Sequence, residues 1–454
     1  MLSILLLCLY SLVIYSKKLA PMHMKQNVLH RINGFFGSIG PNMNVTQKTT
    51  LFDLFTADGI VQGVFFDKGK IYPVKHLIET DKVLYEREHG QVGKGFWNAL
   101  LHMLMHHMKL MPNMMGTANT AMLNITPFTH TESHVAFSHV NRRIPAGFRE
   151  NRRKNRVFAL FERDIPYELA VDFENKEIKT MGKVNTNMDN KFSGHSKYDA
   201  ANDIVHTIDY NIFTKTVTYY KMNSKLDILC KFSKTMNYLP IIHDFLVLDS
   251  GDILVIDSPL KLWMRPIPIS FRKDLPTYIH IMGPNEKTYV SESGFYCFHY
   301  AGYKETATSI EIYAPLYENL DFNSLDIQGK YRGIIIYKNS GTVYIKRNPL
   351  LEPMNLDFPI SYGDSVILRR IIDRRIGGYV VCRGLDIERV IDLPHAISVY
   401  GEHVITKVDG KAYLMALCKN GFLLVLGLEN NDMVYTKLFD EGVTLGFHSI
   451  FMGG

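Results

Sequence analysis

Short apolar and β-branched runs alternate with turn clusters from about residue 50 to the end of the chain. Five of these clusters predict hairpin turns, at residues 67–69, 249–252, 339–341, 409–410 and 420–421. Each contains a Gly close to an Asp or Asn, and such residues supply the positive φ angles that tight hairpins need. Because almost no helical periodicity separates these runs, the pattern predicts a large antiparallel β protein such as a propeller.

One segment, Phe96 to Met115, breaks the β pattern. Its apolar residues recur with helical spacing, so it predicts a helix closed by Pro112. The apolar positions are Trp97, Leu100, Leu101, Leu104, Met105, Met108, Leu110 and Met111. A Met-rich stripe usually belongs to a core. Because apolar residues lie on nearly every face of this helix, docking on a membrane surface is the alternative.

The N-terminus is apolar from Leu2 to Tyr15 and is followed by Lys17 and Lys18. This run is shorter than the roughly 20 residues that cross a bilayer, and its positive charge follows the apolar run, unlike that of a signal peptide. We expect residues 1–20 to form an uncleaved anchor or signal segment, with a buried or irregular terminus as the alternative. No linker rich in Pro, Gly or Ser follows, so we expect a single domain over residues 25–454.

Composition is ordinary for a globular protein, with 46% hydrophobic and 21% charged residues. This excludes a disordered, collagen-like or coiled-coil chain. The net charge of +6 is matched by one stretch, Arg142 to Arg156, which has seven basic residues and one acidic residue. A nucleic-acid binder spreads its basic residues over a face with aromatics between them. We therefore expect no nucleic-acid partner; the stretch is either a solvated insertion or a contact to anionic headgroups.

Candidate metal chemistry comes from histidines rather than cysteines. The five cysteines are widely separated without a C-x-x-C motif, which excludes a thiolate metal site or a disulfide framework. Four of the 18 histidines adjoin apolar strands or strand starts: His195, His243, His299 and His448. Their wide spacing would allow each to come from a different blade, although any one of them alone is more often a structural histidine.

Nine segments follow one another along the chain: GFFGSIGPNMN, LFDLFTADGIVQGVFFDKGKIYPVKHLIET, GTANTAML, VFALFERDIPYEL, HDF, CFHYAGYKE, LDFP, GEHVIT and GFHSIF. Together these segments extend from about residue 30 to the end of the chain. Taken in this order, they resemble the carotenoid cleavage oxygenase family. This family includes carotenoid and apocarotenoid dioxygenases, stilbene-cleaving dioxygenases and the retinoid isomerohydrolase.

The resemblance implies a seven-bladed β-propeller with a loop and helix cap over one axial iron. It assigns the four iron ligands to His195, His243, His299 and His448. Neutral imidazoles suit Fe(II), and octahedral geometry leaves positions for dioxygen. The family commonly has a second His after the third ligand, where this chain has Tyr300.

The resemblance also assigns three carboxylates, Glu162, Asp357 and Glu402, to hold the ligand histidines by hydrogen bonds. Asp357 departs from the Glu that is usual at its position, and one methylene less shortens its reach by roughly 1.5 Å. We expect that hydrogen bond to be rebuilt by a backbone shift or by a water. Thr120 matches a family position beside the vacant coordination site of the iron.

Two regions of the chain lie between the segments that carry the resemblance. Residues 127–155, which hold most of the Arg-rich stretch, are longer than the family pattern needs and predict an inserted surface loop. The segment at 96–115 occupies the region where family members carry an apolar membrane-docking patch around the substrate entrance.

The function that follows is cleavage of a conjugated double bond of a carotenoid or apocarotenoid by a non-haem Fe(II) oxygenase. Its partners would be dioxygen, a lipophilic polyene and a membrane surface, with the protein bound peripherally or by its N-terminus. Retinoid isomerohydrolysis and stilbene cleavage are the alternatives among enzymes. A propeller that only binds lipid or serves as a scaffold is the alternative outside them, and the sequence leaves the oligomeric state open.

Overall fold

The computed structural model describes residues 28–46, 48–93, 96–125, 156–162, 164–184, 186, 191–262, 269–430 and 432–454. The N-terminal segment at 1–20 and the whole of the insertion at 127–155 lie outside these residues, so the predictions for them stay predictions. Among the described residues there is no helix with the length and hydropathy needed to cross a membrane.

Seven antiparallel blades form the ring that the sequence predicted. Blade 1 consists of β1 (Gly34–Pro41), β2 (Gly59–Asp67), β3 (Lys70–Leu77) and β31 (His448–Gly453). Blade 2 consists of β4 (Ala121–Asn124), β5 (Arg156–Leu160), β6 (Tyr167–Asp172) and β7 (Glu177–Lys183). Blade 3 consists of β8 (Lys197–Asp199), β9 (Ile204–Asn211), β10 (Thr216–Asn223) and β11 (Ile228–Thr235).

The next two blades carry additional strands. Blade 4 consists of β12 (Leu246–Val247), β13 (Ile253–Asp257), β16 (Thr277–Met282) and β17 (Lys287–Ser291), and a separate ribbon is inserted as β14 (Leu260–Leu262) and β15 (Ile269–Phe271). Blade 5 consists of β18 (Tyr296–Cys297), β19 (Gly302–Glu305), β20 (Ser309–Tyr317), β21 (Lys330–Tyr337) and β22 (Val343–Lys346).

The last two blades have four strands each. Blade 6 consists of β23 (Asn355–Tyr362), β24 (Ser365–Ile372), β25 (Arg375–Arg383) and β26 (Asp386–Asp392). Blade 7 consists of β27 (Val404–Val408), β28 (Lys411–Cys418), β29 (Phe422–Gly427) and β30 (Met433–Lys437).

The five predicted hairpin turns are confirmed, each between two paired strands. Two of them have positive φ at both central residues, 46° and 80° at Lys68 and Gly69, and 50° and 77° at Asp409 and Gly410. Paired positive φ angles define the tight turn whose twist matches that of the flanking strands. The local turn chemistry therefore set these strand ends.

The ring closes by pairing the two ends of the domain. β1 lies between β2 and β31, and Ile39 is opposite His448 in the antiparallel register. Gly34, at the other end of this pairing, has a φ of +141°, and a Cβ there would lie 2.2 Å from the carbonyl oxygen of Met452. Closure thus puts His448 at the first position of the innermost strand of blade 1.

Each blade packs on the next through an apolar cluster, so the core is a ring of interfaces between sheets. Leu254 of blade 4 and Ile312 of blade 5, for example, are both fully buried in the same cluster. Burial of one such side chain contributes about 1.5–3 kcal/mol. The innermost strands contact their neighbours around the centre, as β31 does with β4 and β27.

Three short helices are described, and the first belongs to a cap. They are α1 (Leu51–Thr56), α2 (Asp81–His89) and α3 (Phe96–His107). Thr50 and Asp53 form a capping box at the start of α1. Apolar side chains of α1 pack with those of the ribbon β14–β15 and of residues 320–327. This cluster is part of the loop and helix cap that the sequence predicted.

The helix α3 is shorter than the sequence predicted. It ends at His107, before Pro112, because Lys109 takes a φ of 59° and the amide of Leu110 donates to the carbonyl of Met105. A left-handed residue with this bond pattern is a Schellman motif, which terminates a helix without a proline. Four apolar side chains in and after α3 are exposed: Leu101, Leu104, Met108 and Leu110.

Candidate metal centre

Four different blades each bring one of the predicted histidines to the axis of the ring. His195 lies two residues before β8, and His243 lies three residues before β12. His299 follows β18 by two residues, and His448 begins β31. Each strand is the innermost or first strand of its blade, so its end at this face points to the common centre.

The four imidazoles offer one nitrogen each within 4.8 Å of the others. The Nε2 atoms of His195 and His243 lie 2.9 Å apart. Two ligands at right angles around a metal with metal–nitrogen bonds of about 2.1 Å have nitrogens about 3.0 Å apart. In addition, Nε2 of His299 is buried and has no hydrogen-bond partner in the described part of the chain. The donor set therefore fits one metal ion.

Glu162 holds the imidazole of His243. Nδ1 of His243 hydrogen-bonds to one carboxylate oxygen of Glu162, and the hydroxyl of Tyr210 donates to the other at 3.0 Å. A carboxylate on Nδ1 fixes the tautomer that leaves the Nε2 lone pair free for a metal. The two bonds to Glu162 also fix the orientation of that carboxylate.

Glu402 holds His448 in the same way. Nδ1 of His448 lies 3.2 Å from Oε1 of Glu402, and the amide of Ser449 donates to Oε2 at 2.8 Å. Ser449 Oγ also donates to the backbone carbonyl of Glu402, at 3.1 Å. These bonds tie the loop before β27 to the first two residues of β31.

Asp357 reaches His299 directly in spite of its shorter side chain. Nδ1 of His299 lies 2.8 Å from Oδ1 of Asp357, and the hydroxyl of Tyr317 donates to Oδ2. The register of β23 shifts between Asp357 and Ile360, and Phe358 has a φ of 53°. Such a bulge re-aims the side chain at the irregularity. Of the two compensations that the sequence suggested, a backbone shift is therefore the one seen.

Thr120 lies against the chain that carries His195. A Cβ on Gly194 would be 2.6 Å from Cγ2 of Thr120 and 3.3 Å from Cγ of Glu162. Residue 194 must therefore be a glycine for Thr120, Glu162 and His195 to keep their positions. His195 is the one histidine of the four for which no carboxylate partner is seen among the described residues.

An ion pair that the sequence did not reveal joins the segments of His195 and His243. Lys197 Nζ lies 2.8 Å from Oδ1 of Asp244, and only 6% of the Asp244 side chain is exposed. The two residues stand two positions after His195 and one position after His243. The only sequence signal for this ion pair was the HDF segment that contains Asp244. Neither local sequence indicates that blades 3 and 4 are neighbours in space.

Aromatic side chains surround the four histidines. The ring of Phe298 lies 5.4 Å from that of His243, and the ring of Phe358 lies 4.6 Å from that of His299. Phe55 of α1 lies 6.4 Å from His243 on the side of the cap. Tyr300 instead packs against the core between blades 4 and 5. Aromatic rings therefore line part of the centre, beside the three carboxylates that hold its histidines.

The pKa shifts favour the neutral form of two of the histidines and the ionised form of Asp357. Burial, reinforced by the neighbouring imidazoles, lowers the pKa of His195 well below its usual value. Burial also lowers the pKa of His299, although Asp357 opposes this. Burial alone would raise the pKa of Asp357, but His299 and Tyr317 outweigh it and lower that pKa to about 2. A metal binds the neutral form of imidazole, so His195 and His299 are prepared for it.

The pKa of His243 is shifted in the opposite direction, upward. Burial lowers the pKa of His243, but the negative charge and hydrogen bond of Glu162 exceed that effect and raise the pKa overall. A metal on Nε2 would have to displace the proton that Glu162 favours on this ring. The Nδ1 proton, which Glu162 accepts, is unaffected by that exchange.

The fold and the site together define a β-propeller protein with a four-histidine centre on its axis. Its sequence matches the retinal pigment epithelial membrane protein family (RPE65) over residues 30–333. The chain belongs to this family. No match was found among curated protein sequences.

Solved structures share the fold of this chain. Cobalt-substituted apocarotenoid oxygenase from Synechocystis has a TM-score of 0.68 at 14% identity, over 94% of this chain and 94% of that chain. Lignostilbene dioxygenase from Pseudomonas brassicacearum has a TM-score of 0.69 at 16% identity, over 93% of this chain and 92% of that chain. A chimera of apocarotenoid oxygenase and RPE65 has a TM-score of 0.67 at 14% identity, over 94% and 93%. At these identities the similarity establishes the fold alone.

Proposed function

We propose that this protein is a non-haem Fe(II) oxygenase that cleaves a conjugated double bond of a carotenoid or apocarotenoid. Dioxygen would be consumed and one of its oxygen atoms would end in each of two carbonyl products. The observation that carries this proposal is the convergence of four histidines from four blades, with their ligand atoms within 4.8 Å of one another.

The residues present suit iron as the bound ion. His195, His243, His299 and His448 would hold it through nitrogen alone, and a nitrogen-rich octahedral site suits Fe(II). When bound, the iron would supply the activation of dioxygen. The protein holds the ligands in place: Glu162, Asp357 and Glu402 each orient one imidazole through its Nδ1.

The apolar walls support a hydrocarbon substrate. Phe55, Phe298 and Phe358 place aromatic rings beside the histidines, and such rings stack on a conjugated chain while they exclude water. Thr120, which lies against Gly194, would crowd one side of the metal with its methyl group. The reaction as proposed needs no side chain as a general acid or base, and the role of the protein is to fix which bond lies over the metal.

Two other reactions are compatible with the same centre. The similar solved structures include a lignostilbene dioxygenase, which favours stilbene cleavage as the second candidate. The family match to RPE65 keeps retinoid isomerohydrolysis as a third. A lipid-binding scaffold without catalysis would not need to keep all four histidines with their acceptors, so retention of the full set favours an enzyme.

Membrane association is part of the proposal. Leu104 and Leu110 are 54% and 65% exposed, on and just after α3. Substrates of this class dissolve in lipid, and an apolar patch buried in the bilayer interface would let them enter without passing through water. The protein would be peripheral, or held in addition by residues 1–20.

The test is turnover by protein loaded with Fe(II) and supplied with ¹⁸O₂. An apocarotenal, a hydroxylated stilbene and a retinyl ester are offered in turn. We expect two carbonyl products from the apocarotenal, each with label, and none after the iron is removed by a chelator. Labelled cleavage of only the stilbene would establish the second candidate, and unlabelled retinol from the ester would establish the third.

A further inference from the structure

Arg369 is a buried cation next to the centre that the proposed reaction does not use. It lies on β24, directly opposite Asp357 on β23 and Tyr379 on β25. Opposed residues of antiparallel strands lie on the same face of a sheet. Arg369 is only 9% exposed, and its Nε has no hydrogen-bond partner in the described part of the chain. A buried guanidinium with an unmet donor is costly unless nearby negative charge compensates it.

One aromatic ring separates this guanidinium from two of the histidines. Cζ of Arg369 lies 3.8 Å from the centroid of Phe358. On its other side, toward the centre, the ring of Phe358 lies 4.6 Å from that of His299 and 5.4 Å from that of His448. The bulge at Asp357 and the positive φ of Phe358 place the ring in this position.

Two of the three carboxylates act on the same cation. Burial lowers the pKa of Arg369, and the negative charges of Asp357 and Glu402 oppose that effect. An arginine stays protonated in proteins, so the positive charge remains. Asp357 and Glu402 are the acceptors of His299 and His448, which are the two histidines that Phe358 contacts.

A count of formal charge gives this cation a role. Four neutral imidazoles with a divalent ion and the carboxylates of Glu162, Asp357 and Glu402 leave one negative charge in excess. Arg369 cancels it. With a trivalent ion the same set without Arg369 would be neutral, and with Arg369 it would carry a positive charge in a buried site, where unbalanced charge is unfavourable.

We propose that Arg369 is a charge-compensating residue that favours Fe(II) over Fe(III) at the four-histidine centre. This inference rests on the proposed function, because it assumes that the bound ion is iron. Oxidation would remove one electron from the bound ion, and the positive charge of Arg369 would oppose that loss. Because the ring of Phe358 separates Arg369 from the histidines, the residue would act on the metal only through its charge and would contact neither substrate nor iron.

The test is a redox titration of the iron-loaded protein, with the ferric ion followed by electron paramagnetic resonance. A unit charge about 10 Å from a metal, at an effective dielectric constant of about 20, changes such an equilibrium by roughly tenfold. In the variant Arg369→Met we therefore expect the ratio of ferric to ferrous iron at a fixed potential to rise about tenfold. Arg369→Lys, which keeps the charge, should stay within about threefold of the unmodified protein.

A matched control stands one position along the same strand. Arg370 is paired with the exposed Asp392 on β26, and neighbouring residues of a strand point to opposite faces. Arg370→Met removes a charge without approaching the centre, so its ferric to ferrous ratio should be unchanged. If Arg369→Met does not fold, Arg369→Gln gives the same loss of charge with a polar side chain and is titrated in its place.

The outcomes separate this inference from the proposed function. A neutral variant that binds iron with an unchanged ratio would overturn the role of Arg369 and leave the metal centre standing. Equal loss of iron from the Met and Lys variants, without a change in potential, would show that Arg369 only supports Phe358 by packing. Unmodified protein that binds no iron would overturn both the inference and the proposed function.

Discussion

Asp357 shows how a single side chain can be accommodated by its backbone. It is one methylene shorter than the Glu expected at its position, and the bulge in β23 moves it to 2.8 Å from Nδ1 of His299. The sequence indicated the partner and the shortfall in reach. It did not indicate the bulge, because Phe358 is not a residue that favours a positive φ.

The variant Asp357→Asn tests this contact. The amide keeps the shape of the side chain but loses the charge that attracts the Nδ1 proton of His299. Changes to such acceptors typically reduce metal affinity 10- to 100-fold, and we expect a reduction in this range. Competition with a chelator measures it. Asp392→Asn, on an exposed outer strand, is the control, and equal affinity in both variants would contradict the role of Asp357.

Gly194→Ala tests whether the contact with Thr120 positions His195. The added methyl would lie 2.6 Å from Cγ2 of Thr120, so one of the two segments must move. Overpacking of this kind costs about 1–3 kcal/mol, and we expect the free energy of unfolding to fall by that amount together with metal retention. Denaturant unfolding and metal analysis measure the two effects.

Gly333→Ala is the matched control for that change. Its nearest neighbours would be 3.5 Å from the new Cβ, which is ordinary contact. It should leave metal retention unchanged. A similar response of both variants would mean that the close contact at Gly194 has no bearing on the centre.

At the scale of elements, blades 3 and 4 are joined beside the four histidines by the ion pair of Lys197 and Asp244. Asp244 is buried, and its carboxylate also accepts a hydrogen bond from the amide of Phe245. Lys197→Met would leave a buried carboxylate without its counter-charge. Removal of one member of a buried pair costs about 3–5 kcal/mol, and we expect a loss near the lower end because Lys197 is partly exposed.

Urea unfolding of Lys197→Met measures this loss. The control is Lys234→Met on β11, the outer strand of blade 3, which breaks an ion pair with the largely exposed Glu286 just before β17 of blade 4. Exposed pairs contribute about 0–1 kcal/mol. Both pairs join blades 3 and 4 and differ in the burial of the carboxylate, so an equal effect of the two substitutions would show that the buried Lys197 pair stabilises the protein no more than an exposed one.

The helix α3 is the element that we propose docks on the membrane. In a chain that begins at Met22, so that residues 1–20 do not contribute, we expect Leu104→Ser with Leu110→Ser to abolish flotation with liposomes. Each leucine that enters lipid contributes about 1.5–3 kcal/mol. Met181→Ser with Phe213→Ser removes comparably exposed side chains, 65% and 79%, from the outer strand of blade 2 and from the turn between β9 and β10 of blade 3, and should have no effect. Unchanged flotation of the Leu104→Ser, Leu110→Ser variant would contradict membrane docking by α3.

The end of α3 also shows a limit of sequence reasoning about elements. The hairpin turns were predictable because Gly with Asn or Asp determines them locally. The helix was extended too far because a proline is a recognisable stop, whereas the left-handed Lys109 that terminates it carries no such signal. A non-glycine residue at that position of a Schellman motif is uncommon.

At the scale of the whole molecule, the ring converts distant sequence positions into one site. The four histidines span residues 195 to 448, and only closure of seven blades brings them within 4.8 Å. The ordered motifs made the four ligands and the three acceptors predictable as a family pattern. Lys197 with Asp244, Phe358 and Arg369 were not, because their contacts depend on which strands and blades are neighbours in space.

Metal analysis of the purified protein tests the central claim most directly. We predict one iron per chain in the unmodified protein and none in His243→Ala. The substitution removes the imidazole that Glu162 orients and leaves only three nitrogen donors. His395→Ala, which removes an exposed histidine away from the centre, should keep one iron per chain. Full iron occupancy in His243→Ala, or protein without iron after reconstitution with Fe(II), would contradict the account.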